Sequence, residues 1–317
     1  MQSPPKKGVF EASVLANRQI GECFYVMALQ FTGEGAAAFA RFQAGQFVQI
    51  DLSKACVPTM QNQPAYVQDS MNRSVLLRRP FSFADVAVQG NIAKAELLYC
   101  ALGAATLRMT TFHKGDSISV IGPLGNGYTV PAGKKIALLV SGGMGAPPIR
   151  CLAKTLTAGH SEIEATVFVG AKTAKSLPFE GRLDAISQQL GFSIPAFGQL
   201  GIPSIVSTDD GSLGRRGFVT ESLVQWLNEN SSRPKNITMI YACGPEPMLA
   251  AVAKIAAERN IDCQVSMERR MACGIGLCQS CAVECKVPNS NETTYKLCCK
   301  DGPVFDAREV VFAGSDD

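Results

Sequence analysis

The chain has 317 residues and a mass of 33.7 kDa, which is long enough for two or three domains. Hydrophobic residues make up 46% and charged residues 18%, so the composition excludes an intrinsically disordered protein. The net charge of +3 is too small to indicate binding to nucleic acid or to a membrane surface. No apolar run has the roughly 18–20 residues of a membrane span, and residues 1–10 lack the apolar segment of a signal peptide, so we expect a cytoplasmic protein.

Residues 1–130 contain short apolar runs separated by turn residues, a pattern that predicts an antiparallel β-barrel or sandwich. Residues 53–73 interrupt this rhythm with polar residues and two prolines, which predicts a long surface loop. The predicted strands cover residues 23–29, 46–52, 75–77, 95–102 and 117–121.

Residues 131–266 alternate strand and helix patterns, which predicts a doubly wound parallel sheet with helices on both faces. Thr220 is placed to cap the third helix, and Pro147 or Pro148 suits the first turn of the first helix. The predicted strands cover residues 136–140, 165–170, 204–207, 237–242 and 263–266, and the predicted helices cover residues 147–158, 183–190, 220–229 and 246–259.

Residues 267–317 have little periodic structure but hold six of the twelve cysteines. Cys273, Cys278 and Cys281 have the C-x4-C-x2-C spacing of a plant-type [2Fe–2S] site, which takes a fourth thiolate from further along the chain. Gly274 and Gly276 suit such a loop, because glycine permits unusual φ values and lets backbone N–H groups face sulfur. The fourth ligand stays open among Cys285, Cys298 and Cys299.

Two other interpretations of the cysteines stay open. A structural zinc site also uses four thiolates, although it favours paired C-x2-4-C knuckles. In the second interpretation, the cysteines are reduced, buried side chains that bind no ligand. Disulfides are disfavoured because the chain shows no export signal.

A glycine-rich turn follows the first predicted strand of the second part. Gly143 and Gly145 allow the backbone to approach a pyrophosphate at the N-terminus of the next helix, where the helix dipole favours anions. The third position of this fingerprint is Pro148 instead of glycine, so the pattern differs from the usual Rossmann motif. The alternative to a pyrophosphate-binding turn is an ordinary tight strand-to-helix turn.

Two further motifs suggest ligand contacts. Cys243, Gly244 and Pro245 lie where a later strand ends and a helix begins, at the edge where parallel sheets bind ligands. The Cys243 thiol lines a nicotinamide pocket there or is simply a small buried group. In the first part, Arg79 and Ser82 offer a guanidinium fork and a hydroxyl to phosphate, or else belong to an ordinary strand with a solvated arginine.

The two histidines, His113 and His160, lie near predicted turns, and we expect both at the surface. The sequence therefore argues against a histidine-based nucleophilic triad or a histidine-rich metal site.

Four motifs resemble, in order and spacing, those of the ferredoxin–NADP reductase superfamily. They are Arg79-Pro-Phe-Ser82, Gly122-Pro-Leu-Gly125-Asn-Gly127, Gly143-x-Gly145-x-x-Pro148 and Cys243-Gly-Pro245. Further motifs narrow the resemblance to the electron-transfer subunit of class 1B dihydroorotate dehydrogenase. These are Thr208-Asp-Asp-Gly-Ser212, Gly217-Phe-Val-Thr220, Glu268-Arg-Arg-Met-Ala-Cys273-Gly-Ile-Gly and Cys299-Lys-Asp-Gly-Pro-Val-Phe305.

The resemblance implies an FAD-binding barrel over residues 1–130, an NAD-binding α/β domain over 131–266 and a [2Fe–2S] domain over 267–317. It assigns FAD to Arg79, Pro80, Phe81, Ser82, Leu98, Tyr99, Cys100, Ala105 and Thr106. It assigns NAD(H) to Gly143, Gly145, Cys243, Gly244 and Pro245. It assigns the cluster to Cys273, Cys278, Cys281 and Cys299.

Two of these assignments carry an alternative. Ala105 stands where the family favours glycine, and its Cβ would crowd a pyrophosphate. Cys299 is preferred because the family's fourth cysteine directly precedes Lys-Asp-Gly-Pro. The spacing from Cys281 is longer than usual, which keeps Cys298 as an alternative.

The resemblance also implies an oxidoreductase subunit that passes electrons between NAD(H), FAD, the cluster and the FMN of a separate catalytic subunit in pyrimidine biosynthesis. A heterotetramer of two plus two chains is expected. No residue of this chain is expected to contact orotate, so it supplies no catalytic acid or base. Lys172 and Lys175 are candidates for attracting the 2′-phosphate of NADPH, and residues 304–305 and 310–312 belong either to the partner interface or to the core.

Three other functions fit parts of this pattern. One is a reductase subunit of a different iron–sulfur flavoprotein system, of the ferredoxin or sulfide type. Cys273 disfavours it, because related ferredoxin–NADP oxidoreductase subunits usually offer aspartate as one cluster ligand. The others are a non-enzymatic redox sensor that uses the cluster as a switch and a zinc-bearing scaffold subunit.

Overall fold

The computed structural model describes residues 7–58, 75, 77–179, 184–185 and 192–312. These residues form a closed barrel, a seven-stranded sheet and two small two-stranded sheets. Within the described ranges, no helix is both long enough and apolar enough to cross a membrane.

The barrel closes in the order β1-β2-β5-β4-β3-β6, with antiparallel pairing throughout. Its core is aromatic, and the rings of Phe31 and Phe39 lie 4.5 Å apart between centroids. Two short helices follow β2 and β5. The elements are β1 (Gly8–Gln19), β2 (Phe24–Thr32), α1 (Glu34–Phe39), β3 (Phe47–Ile50), β4 (Arg79–Gln89), β5 (Ile92–Cys100), α2 (Ala104–Met109) and β6 (Ser117–Leu124).

The closed barrel confirms the predicted class, but the sequence pattern predicts neither β1 nor β4, and one predicted strand is wrong. No strand was predicted for β1, in which inward-facing and exposed residues alternate over the first seven positions. The strand predicted over residues 75–77 is wrong, since Val75 and Leu77 lie outside any strand and β4 begins at Arg79. Most of the predicted loop at 53–73 lies outside the described residues.

The second sheet has the order β12-β11-β8-β7-β13-β14-β17. Its pairs are parallel except for β14 with β17, which is antiparallel. The strands are β7 (Ile136–Gly142), β8 (Glu164–Ala171), β11 (Ser204–Thr208), β12 (Arg215–Arg216), β13 (Thr238–Cys243), β14 (Asp262–Ser266) and β17 (Val304–Asp306). A separate pair joins β9 (Asp184–Ala185) and β10 (Phe192–Ser193).

Helices cover both faces of this sheet, as the alternating pattern predicts. On one face α3 packs through residues such as Leu152, and on the other α5 and α6 pack through residues such as Leu223 and Val252. The helices are α3 (Ala146–Gly159), α4 (Pro195–Gly198), α5 (Val219–Glu229) and α6 (Glu246–Arg259).

Two helix predictions need correction. Pro147 does lie in the first turn of α3, but Thr220 does not cap α5, because the capping position is Phe218 and no side chain caps it. The helix predicted over residues 183–190 is wrong at 184–185, which form β9. The remaining residues of that predicted helix lie outside the described part of the chain.

The cysteine-rich part joins the second sheet. A hairpin of β15 (Ala282–Lys286) and β16 (Thr293–Leu297) precedes β17, which adds an edge strand beside β14. Val304, Phe305, Val310 and Phe312 are each less than 10% exposed. These apolar residues therefore belong to the core of the chain.

Candidate functional site

A cavity of ≈ 310 Å³ lies where the barrel, the second sheet and the cysteine-rich segment meet. β4 and β5 are neighbours in the barrel, so their ends present side chains to one place. Eight of the sequence-predicted site residues line it: Pro80, Phe81, Ser82, Leu98, Tyr99, Cys100, Thr106 and Cys243. Met271, two residues before Cys273, also lines it.

Two predicted flavin residues lie elsewhere. Ala105 packs against the barrel core and does not line the cavity. The Arg79 guanidinium also lies outside the lining, and its Nη1 donates to the carbonyl oxygens of Leu77 at 2.7 Å and Arg78 at 3.3 Å.

Thr106 organises the start of α2 at the mouth of the cavity. Its hydroxyl oxygen accepts hydrogen bonds from the backbone N–H of Leu102 at 3.2 Å and of Gly103 at 3.1 Å. A Cβ at Gly103 would meet no atom within 4 Å, so space is left beside this turn.

Tyr99 and Cys243 are buried neutral groups of this cavity. The Tyr99 hydroxyl donates to Asn17 Oδ1 at 3.0 Å, and burial raises the pKa of the phenol well above its usual value. Burial likewise raises the pKa of the Cys243 thiol, at the carboxyl end of β13. Both side chains stay protonated near neutral pH and carry no charge into the cavity.

Glu268 lines the same cavity, although the sequence prediction assigned it no site role. Its side chain is exposed to solvent, but partial burial against the protein raises the pKa of its carboxyl group. Neighbouring Arg269 is held by two hydrogen bonds of 2.9 Å to Glu246. The position of Glu268 in the sequence could have indicated this site, because Glu268 follows β14 at the same sheet edge as Cys243.

A groove of ≈ 540 Å³ runs along the carboxyl ends of β7, β8, β11 and β13. Gly143 and Pro245, both predicted nucleotide contacts, line it together with Lys172, Asp209 and Phe218. Phe218 is 63% exposed, an unusual state for a large aromatic side chain. The groove offers a flat apolar ring and charged groups beside a glycine-rich turn.

Gly145 allows the glycine-rich turn to lie directly against the end of β13. A Cβ at this position would lie 2.0 Å from the carbonyl oxygen of Cys243, closer than any real contact. Gly143 has φ 50°, in the left-handed region that glycine tolerates. The two glycines therefore bring the start of α3 against the end of β13.

The two lysines predicted near the nucleotide differ in position. Lys172 lines the groove. Lys175 lies outside the lining and forms an ion pair with Glu22 at 2.6 Å. Only Lys172 is therefore placed to contact a nucleotide in the groove.

The 273–281 loop surrounds Cys273 with backbone donors. Its Sγ accepts hydrogen bonds from the N–H groups of Ile275, Leu277 and Cys278 at 3.4–3.5 Å. Gly274 and Gly276 have φ values of 70° and 89°, which gives this loop its shape. Burial raises the pKa of Cys273, but the three backbone bonds outweigh it, so the pKa is lowered overall.

Cys278 is also a stabilised thiolate. The Ser280 hydroxyl lies 3.1 Å from its Sγ and, with nearby backbone N–H groups, lowers the pKa of the thiol to about 6. Iron–sulfur clusters are held by thiolates, so Cys273 and Cys278 are side chains of the kind that such a group binds, although the described residues bring no three metal-binding side chains together in this structure.

The three candidates for a fourth ligand face different surroundings. The backbone N–H of Cys299 donates to Cys281 Sγ at 3.4 Å, and the two thiols are in contact, which together with burial raises the Cys299 pKa to about 12. Cys298 turns away and donates to the carbonyl oxygen of Met267 at 3.2 Å. Cys285 is fully buried beside β16. Of the three, Cys299 faces the 273–281 loop.

Comparison with known proteins defines the class. Residues 268–311 match the iron–sulfur cluster binding domain of dihydroorotate dehydrogenase B, and residues 139–254 match the oxidoreductase NAD-binding domain. The fold is similar to a solved NADH-dependent reduced ferredoxin–NADP oxidoreductase, with a TM-score of 0.70, 24% identity, and coverage of 95% of this chain and 90% of that chain. Fold and site together define an NAD-linked iron–sulfur oxidoreductase with a ferredoxin reductase-like fold.

Relatives of known function narrow this class. The electron transfer subunit of dihydroorotate dehydrogenase B (NAD(+)) from Caldanaerobacter subterraneus subsp. tengcongensis is 33% identical over 302 residues, covering 95% of this chain and 98% of that protein. The subunit of the same name from Bacillus caldolyticus is 34% identical over 302 residues, covering 94% and 97%. The chain belongs to this family of electron transfer subunits, which confirms the family, fold class and oxidoreductase role predicted from the sequence.

Proposed function

We propose that this chain carries electrons between NAD(H) and the FMN of a dihydroorotate dehydrogenase catalytic subunit, through FAD and a [2Fe–2S] cluster of its own. The observation that carries the proposal is the ≈ 310 Å³ cavity. Its wall combines barrel residues, the end of β13 and the segment leading into the cysteine loop. A flavin held in this cavity would lie between the nucleotide-binding sheet and the segment that leads into the cluster loop.

The barrel side of the cavity holds the flavin. Ser82 and Thr106 supply hydroxyl groups, and the end of β5 supplies an apolar wall through Leu98 and Tyr99. The Tyr99 hydroxyl is already bonded to Asn17, so this residue contributes its ring and backbone. Ala105 lies outside this cavity, so it stays a proposed contact for a part of FAD that extends beyond it.

The sheet side holds the nicotinamide nucleotide. Gly143 and Gly145 let the backbone turn close to the pyrophosphate at the start of α3, where the helix dipole favours its charge. Cys243 lies in the flavin cavity and Pro245 in the groove, so the Cys243–Pro245 segment connects the two. Cys243 would therefore border both the flavin and the nicotinamide when the two cofactors are bound.

The cysteine loop holds the cluster through Cys273, Cys278, Cys281 and Cys299. Backbone N–H groups and Ser280 stabilise the first two thiolates, and Cys299 approaches Cys281 from the turn that follows β16. When bound, the cofactors supply hydride exchange between NAD(H) and FAD and one-electron exchange with the cluster. The chain's own part is to hold them in sequence and to exclude water.

Electrons leave at the exposed side of the cysteine loop. Ile275 is 47% exposed and Leu277 is 76% exposed, and both flank an exposed Cys278. An apolar rim around a cluster ligand is the kind of surface that a protein partner covers. We place the FMN-containing subunit here, in an assembly of two plus two chains, with biosynthetic flow from dihydroorotate to NAD⁺.

Reconstitution with the catalytic subunit tests the proposal. The purified chain, mixed with a dihydroorotate dehydrogenase FMN subunit, is expected to form a stable complex that reduces NAD⁺ in the presence of dihydroorotate. Neither subunit alone should support that reaction. A chain that oxidises NADH only with ferredoxin as acceptor, and never binds the FMN subunit, would contradict the proposal.

A further inference from the structure

Gln49 is a buried polar residue whose hydrogen-bonding groups have no partner. Its exposure is 0%, and neither Nε2 nor Oε1 forms a hydrogen bond with any described residue. Buried amides in folded proteins are nearly always paired, because an unpaired one loses its bonds to water without replacement. An orphaned amide therefore indicates a partner that the polypeptide itself does not supply.

The position of Gln49 on β3 decides which way it faces. Val48 and Ile50, its neighbours, point into the barrel core. Phe47, two residues away and on the same side of the strand, packs in the core that contains Cys281 and Cys299. The Gln49 side chain therefore lies on the outer wall of the barrel, toward the cysteine-rich segment.

Gln49 contacts the cysteine loop at its first glycine. A Cβ at Gly274 would lie 2.2 Å from Gln49 Nε2, so the amide and the loop backbone are packed as closely as glycine allows. Gly274 directly follows Cys273, whose sulfur already accepts backbone hydrogen bonds. The amide thus adds a side-chain donor at a place that gathers donors around sulfur.

We propose that the Gln49 amide donates a hydrogen bond to a sulfur atom of the iron–sulfur centre held by the 273–281 loop. The inference rests on the proposed function, since it requires the cluster. A donor to sulfur favours the reduced, more negative state of a cluster, so Gln49 raises its reduction potential. Gln49 is a positioning residue that also ties the flavin-binding barrel to the cluster loop.

The flavin is the competing partner for this amide. Gln49 pairs through β3 with Pro80, which lines the flavin cavity. The side chain itself is not part of the cavity lining, whereas it does contact the cluster loop. These contacts favour the cluster, and the experiment separates the two partners.

The test replaces the donor without changing the size of the side chain. Gln49→Met is compared with wild type in the cofactor-loaded protein, by anaerobic redox titration with EPR for the cluster and absorbance for the flavin. We expect a more negative cluster midpoint potential in Gln49→Met and an unchanged flavin potential. Gln89→Met, at the exposed end of β4, is the matched control and should leave both potentials unchanged.

A second measurement uses the wild-type protein and does not depend on how the variant folds. With ¹⁵N placed in glutamine side chains, pulsed EPR of the reduced cluster should detect a coupled nitrogen. An unchanged cluster potential in Gln49→Met, a shift of the flavin potential alone, or no coupled side-chain nitrogen in wild type would overturn the inference. A wild-type protein that binds no iron would instead refute the proposed function.

Discussion

The cysteine residues of the C-terminal segment differ in what surrounds each sulfur atom. Cys273 and Cys278 have lowered pKa values because backbone and hydroxyl groups donate to them. Cys298 and Cys299 are adjacent in sequence, but one bonds to Met267 inside the core and the other contacts Cys281. The spacing of the cysteines in the sequence did not decide which of these two is the fourth cluster ligand, because spacing carries no information about side-chain direction.

Replacing the two adjacent cysteines separately tests this difference. Cys299→Ser is expected to lose most of its iron, because it removes the thiolate that faces the loop. Cys298→Ser should keep the iron content and visible spectrum of wild type, since it changes only a bond to a carbonyl oxygen. Iron analysis and visible spectra of both variants measure this difference. Iron loss in Cys298→Ser but not in Cys299→Ser would make Cys298 the ligand.

Gly145 is the residue on which the nucleotide turn depends. In Gly145→Ala the new Cβ would meet the Cys243 carbonyl at 2.0 Å, so the turn must open. We expect NADH binding to weaken at least about tenfold, or ~1.4 kcal/mol. Isothermal calorimetry measures the change in Kd.

Gly159→Ala, at the other end of the same helix, is the control for this prediction. A Cβ there meets no atom within 4 Å, so NADH binding should stay close to wild type. Wild-type affinity in Gly145→Ala would show that the turn does not shape the nucleotide site.

At the scale of elements, strand β17 joins the cysteine-rich segment to the nucleotide sheet. Val265 of β14 pairs with Phe305, whose side chain is 4% exposed. Met267 donates its backbone N–H to Pro303 at 2.8 Å, so the segment is held at both sides of the cysteine loop. The loop is therefore positioned by the sheet as well as by its own backbone bonds.

Removing the Phe305 ring should loosen this anchor. Phe305→Ala is expected to destabilise the protein by about 3–5 kcal/mol, because it leaves a cavity in the shared core. It should also release iron faster to a chelator. Tyr295→Ala, on a side chain that is 70% exposed, is the control and should change neither property. Equal iron loss in both variants would argue against an anchoring role of β17.

The elements also show what sequence patterns can predict. The α6 helix agrees with its prediction at both ends, where Pro245 precedes its first residue and Asn260, in the left-handed conformation, follows its last. The pattern of apolar runs did not predict β1, because inward-facing and exposed residues alternate along its first half. The strand predicted at 75–77 was wrong because three apolar residues carry no information on which neighbour they pair with.

At the scale of the whole molecule, the sequence predicted the order of the parts but not how they meet. Motifs far apart in sequence, such as Ser82, Cys243 and Met271, line one cavity. The place of Glu268 in this cavity depends on the end of β14 meeting the barrel. Contacts between parts depend on packing, which single motifs do not encode.

The most direct test of the account follows electrons through the intact chain. Purified protein is titrated anaerobically with NADH, with the flavin followed by absorbance near ~450 nm and the cluster by EPR. The account predicts that NADH reduces the flavin and then the cluster, and that Cys299→Ser keeps only the flavin step. Bound flavin and cluster that both stay oxidised, or a cluster that stays oxidised beside reduced flavin, would contradict it.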